Sequence, residues 1–172
     1  MSERRGIRSR DRITILWGYC PHEVRAALRP ILLDYLWLVP SWCQTLYVRW
    51  NERPEDGDQS AGSDAQPEYR QAQLTICPGW LSAVHQSRIS AVVHELLHLP
   101  LAPMVIEHVG LTKRLLDDAE RFHAYSEEQW RRVFEGAVQD LAAAVSVLPG
   151  PFPAVAFIEV EDDDAPSGAA HA

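Results

Sequence analysis

The sequence predicts an α+β domain, because segments with alternating apolar residues are interspersed with segments whose apolar residues recur every three or four positions. The order is β-α-β-β-α-α with no internal repeat, which predicts a small mixed or antiparallel sheet with helices against it. With 172 residues, 47% of them hydrophobic, the chain is long enough to bury one continuous core.

Residues 13–17 (ITILW) are rich in β-branched side chains and predict the first strand. Pro21 suits a helix N-terminus, and Val24, Leu28, Ile31, Leu32 and Tyr35 keep helical spacing, so a helix is expected to about Leu38, before Pro40. In residues 44–50, Leu46, Val48 and Trp50 alternate with Tyr47 and Arg49, predicting the second strand. Residues 51–67 hold no aliphatic side chain larger than alanine and are dense in Gly, Pro, Asp and Ser, which predicts a long, mobile, exposed loop. Residues 68–77 predict a third strand, antiparallel to the second and stopped by Pro78-Gly79.

Between Ser87 and Leu99, apolar Ile89, Val92, Val93, Leu96 and Leu97 predict a buried helix, with Pro100 and Pro103 ending it. A last helical region is expected from about Leu111 to Leu148, with a break near Ser126; its later half carries Trp130, Phe134, Val138, Leu141 and Val145 on one face. Residues 1–12, with five arginines, and the acidic residues 151–172 read as solvated tails flanking a domain at 13–150.

A net charge of −8 argues against a nucleic-acid partner, since phosphate contacts need a basic face. No run of 18 or more apolar residues is present, so no membrane span is expected. Cys20, Cys43 and Cys77 are odd in number and unpaired in spacing, which fits reduced thiols and a cytoplasmic setting. The six tryptophans show no regular spacing and read as core.

The chemistry is concentrated in residues 91–99, AVVHELLHL. His94 and His98 are four apart, so a helix turns both to one face, where they can hold a single Zn2+ ion. Glu95 is rotated by about 100° from His94, as suits a general base acting on a metal-activated water. The competing reading of these residues is an amphipathic helix with two solvated histidines.

A catalytic zinc needs a third protein ligand. Leu101 and Met104 stand where a metzincin would carry Gly and His, which leaves Glu107, His108, Asp117, Asp118, Glu120, His123, Glu127, Glu128 and Glu135. Glu135 ranks first: it borders the apolar face of the last helix, and the adjacent Gly136 and Ala137 suggest close backbone packing. Glu127 and Glu128 rank next, although both suit the N-terminus of a helix capped by Ser126. His108, His123 and Tyr125 are candidate donors to a developing oxyanion, or packing residues; Cys77 falls near the site by sequence order.

With these elements in place, residues 13–148 resemble the zincin metallopeptidases of the gluzincin (thermolysin-type) group, and in particular the small single-domain HExxH proteins of bacteria and their phages. The resemblance implies a zincin-like sheet whose edge strand lies beside the cleft, with zinc held by His94, His98 and a downstream glutamate. Tyr69–Ile76 is the candidate edge strand, onto which a peptide or protein substrate would add by strand pairing. The chain departs from larger gluzincins in having no separate C-terminal domain as a second cleft wall. A zinc metallopeptidase is therefore the expected function. The alternatives are a non-catalytic, zinc-stabilised interaction module, a regulatory protease of a phage or mobile element, and a small-molecule amide hydrolase.

Overall fold

A computed structural model describes residues 12–54, 59–115, 120–148 and 155–161. The elements are β1 (Arg12–Trp17), α1 (His22–Tyr35), β2 (Thr45–Trp50), β3 (Ala61–Gln66), β4 (Gln71–Ile76), α2 (Pro78–Ser82), α3 (His85–Leu115), α4 (Glu120–Val145) and β5 (Ala156–Glu161). The sheet is mixed, in the order β3-β4-β2-β1-β5. Strands β4, β2, β1 and β5 run parallel, and β3 runs antiparallel to β4 at the edge. The α+β class therefore holds, with a sheet two strands wider than expected.

Alternation fixes which face of the sheet is covered. Ile13, Ile15, Trp17, Leu46, Val48, Leu74 and Ile76 are buried against Val24, Leu28 and Leu32 of α1 and Val92, Val93 and Leu96 of α3. Their neighbours Thr14, Tyr47, Arg49, Gln73 and Thr75 are half-buried or exposed on the opposite face. One face thus packs on helices, as the period of two requires; the other is mostly polar on β2 and β4 but carries Leu16, Ile158 and Val160 where β1 meets β5.

Four sequence expectations are corrected. Residues 61–66, expected within a mobile loop, form β3 and pair with β4 from Ala61↔Ile76 to Gln66↔Gln71. A tight connection allows this: a 3-10 turn at Pro67–Tyr69 ends on Arg70 in the left-handed region, φ 58°. Strand β4, expected to be antiparallel to β2 and to be the edge strand, is parallel to β2 and internal. Parallel neighbours need a crossover of a dozen or more residues, and the segment that contains β3 supplies it.

Helix α3 does not stop at Pro100 but runs through Pro100 and Pro103 to Leu115. Both prolines are exposed, so their rings displace no core packing; each costs α3 the hydrogen bond to the carbonyl four residues back, Leu96 or Leu99, and crowds that carbonyl. As one uninterrupted helix, residues 85–114 are long and apolar enough to cross a membrane by length and composition, unlike the separate segments expected. Val92, Val93, Leu96, Leu97 and Leu99 of this helix nevertheless pack in the core of the domain.

Strand β5 lies inside the segment 151–172 expected as an acidic tail, so the domain extends past residue 150. Its acidic side chains explain its place. Glu159 accepts a bidentate hydrogen bond from Arg29 (Nε at 3.0 Å, Nη2 at 2.7 Å) and one from Trp17 Nε1 at 3.1 Å; Glu161 pairs with Arg25. The Arg29 guanidinium holds the Glu159 carboxyl below the usual carboxylate range.

Candidate metal centre

Helix α3 presents His94 and His98 one turn apart, and α4, packed alongside, brings Glu135 to the same point. The two Nε2 atoms are 3.1 Å apart. Glu135 Oε2 lies 3.4 Å from His94 Nε2 and 3.5 Å from His98 Nε2. Four-coordinate zinc with bonds of about 2.0–2.1 Å needs ligand atoms roughly 3.3 Å apart, which matches this triangle. The donor set is suitable too: two imidazole nitrogens and a carboxylate oxygen are the ligand types that zinc takes. The side chains of His94 and His98 are 19% and 20% exposed and that of Glu135 is 47% exposed, so the triangle sits at the floor of an open cleft. The ring of Phe134 stands 5.5 Å from that of His98 and limits its movement.

Glu95 faces the same cleft from the next position of α3. Its Oε2 accepts a 2.8 Å hydrogen bond from Ser63 Oγ on β3. Sequence reasoning missed Ser63, since it lies in a stretch with no strand signal; its spacing with Ala61 and Ala65 on an alternating small face was the available clue. His94 Nδ1 is buried without a hydrogen-bond partner.

The remaining candidates are distributed as follows. Glu127 lines the cleft but is outside the triangle. Glu128 is held by Arg131 at 2.7 Å and Arg132 at 2.8 Å, and those hydrogen bonds lower its carboxyl below the usual range. Glu107 and His108 are also outside the triangle; His108 stacks on Trp130 with ring centres 4.2 Å apart, a packing role. Tyr125 is exposed and outside the cleft lining. Asp117 and Asp118 lie outside the described residues, as do the side chains of Glu120 and His123. Cys77 is fully buried, and burial first, then the nearby Glu95 carboxylate, push its thiol up.

The cleft has a volume of about 640 Å³. One side is β3, whose outer edge has no strand beside it among the described residues. The other side is formed by α3 beyond His98 and by Trp130 and Phe134 of α4. The second wall expected to be missing is thus supplied by the continuation of α3 and its pairing with α4. Compared with protein-family models, curated proteins and solved structures, the chain matches none, so the reading of the site rests on its own residues.

Proposed function

We propose that this protein is a zinc-dependent hydrolase of zincin type, acting as a metallopeptidase on a peptide or protein substrate. The reading is carried by the triangle of His94 Nε2, His98 Nε2 and Glu135 Oε2, whose edges of 3.1, 3.4 and 3.5 Å suit tetrahedral zinc. Bound there, zinc supplies Lewis acidity, which polarises a carbonyl and activates water near neutral pH. His94 and His98 would hold the ion through their Nε2 atoms and Glu135 through its carboxylate, whose charge would offset part of that of the cation. Glu95 takes a proton at its carboxylate and returns it to the leaving amine, while Ser63 fixes its orientation. The edge of β3 offers backbone donors and acceptors that can hold an extended peptide across the cleft.

A three-ligand set in an open cleft favours catalysis over a structural role, because structural zinc sites close with four protein ligands. Glu95 supports the same choice, since a structural site has no use for a base at that position.

Zinc content and turnover test the proposal together. The protein should hold about one zinc per chain after dialysis, and His94→Ala and His98→Ala should lose it. Glu95→Gln should keep zinc and lose cleavage in a peptide-library assay, because the amide cannot take a proton. Unchanged zinc in both histidine variants, or equal cleavage by Glu95→Gln and parent, overturns the reading.

A further inference from the structure

We infer that the cleft selects an extended peptide carrying apolar side chains at alternate positions on one side of the scissile bond; the inference rests on the metal-centre reading above. Beyond His98, the cleft wall is made by Ala102, Val105, Ile106 and Val109 of α3 with Trp130 and Phe134 of α4. The α3 residues follow one another at steps of three, one and three, so they form a single helical face. No charged residue interrupts that face along α3, and the charged groups of the lining on this side, Glu127 and Arg131, come from α4. Ile106 is 49% exposed, a large apolar surface left in water on a concave wall, which is unfavourable until something covers it.

The geometry identifies what covers it. From His98 to Val109 the helix advances about 16 Å. An extended peptide covers that distance in roughly five residues, with every second side chain turned the same way. Across the cleft lies β3, whose outer edge has no strand beside it among the described residues and whose row of backbone N–H and C=O groups repeats at the spacing of an extended peptide. A strand laid on β3 would therefore place two or three side chains against this wall, beginning beside the metal centre. Apolar side chains gain most there, whereas charged ones lose their hydration with no partner along α3.

The test is calorimetric binding of peptide hydroxamates to the zinc-loaded, full-length protein. Two probe series sample the two sides of the metal: C-terminal peptide hydroxamates (Gly-Gly-Gly, Gly-Gly-Leu, Leu-Gly-Leu), and malonyl hydroxamates extended by Gly-Gly-Gly, Leu-Gly-Gly or Leu-Gly-Leu. One series should tighten by about tenfold for each leucine, and the other should stay nearly flat. Ile106→Asp and Val109→Asp should each remove most of the leucine gain at unchanged zinc stoichiometry, while Val133→Asp, outside the cleft, should retain it. Two flat series with measurable binding of the glycine probes would overturn this inference and leave the metal centre standing. No binding of any glycine probe to zinc-loaded protein would overturn the metal-centre reading, and this inference with it. A leucine gain that survives both Ile106→Asp and Val109→Asp would overturn the assignment to the α3 wall.

Discussion

Ser63 Oγ donates a 2.8 Å hydrogen bond to Glu95 Oε2, tying the edge strand of the sheet to the helix that carries both histidines. The bond links two segments 32 residues apart in sequence and makes the orientation of Glu95 depend on β3. Ser63→Ala should cost about 1–2 kcal/mol of stability, the worth of a hydrogen bond to a charged group in a partly exposed place. A double-mutant cycle with Glu95→Ala, read by denaturant unfolding, should show coupling of about 1 kcal/mol. Additive effects of the two substitutions would mean that the pair does not interact in solution.

Glu135→Ala should weaken zinc binding by at least about a hundredfold, since it removes one of three protein ligands. Glu127→Ala and Glu128→Ala should change it little, because neither belongs to the triangle. Competition with a chromogenic chelator measures all three. Zinc should also raise the melting temperature of the parent and fail to raise that of Glu135→Ala.

The pairing of β3 with β4 predicts slow amide exchange within Ala61–Gln66 for residues whose N–H points to β4, and fast exchange for those facing the free edge. Deleting Ala61–Gln66 should destabilise the domain and uncover β4, whereas a plain solvent loop would tolerate the loss. Uniformly fast exchange across the segment would contradict the strand.

How much of this was legible in the sequence depends on how each element is specified. The α3 histidines are set by helical periodicity alone, and the buried faces of β1, β2 and β4 by alternation, so all of these can be read locally. Strand β3 (AGSDAQ) has no β-branched or aromatic residue, and its propensity points to a loop. Its strand geometry comes from a tertiary partner, β4, and its small residues permit close packing on α3. Glu135 was named from the apolar face it borders, and the structure brings it to the two histidines. Gly136 marks no close approach of another backbone, because open space surrounds the place a side chain would take. Strand β5 was hidden for a different reason: its acidic residues, which read as a solvated tail, are the ones that bind Arg25, Arg29 and Trp17.

Pro100→Ala and Pro103→Ala should each stabilise the protein, by roughly 1 kcal/mol or more, because each restores a helical hydrogen bond at an exposed position. Thermal unfolding measures this. If either variant melts lower than the parent, the ring is held by contacts that α3 needs.

The lowered carboxyl of Glu159 makes the docking of β5 sensitive to acid. A folded-state value below the unfolded one gives a stabilisation that is full above the unfolded value, about 4.3, and lost as pH falls through the folded value. Glu159→Gln should therefore be less stable than the parent at pH 7, with the difference shrinking below about pH 4. Urea unfolding at both pH values, followed by far-UV circular dichroism, tests the sign: a gap that widens on acidification would refute it.

The partnership of the first and last strands sets an order of assembly. Trp17 and Glu159 are separated by 142 residues, so β5 can reach its place only after the chain between them has been made and has closed a very long loop. The triangle, Ser63 and the core anchors of α4, Val138 and Ala142, all lie within residue 145, so this centre can assemble while one flank of β1 is still bare. For that interval Ile13–Leu16 form an unpaired parallel edge, open to another nascent chain. A chain cut short before Ala156 would keep that edge permanently, and self-association would be its characteristic failure.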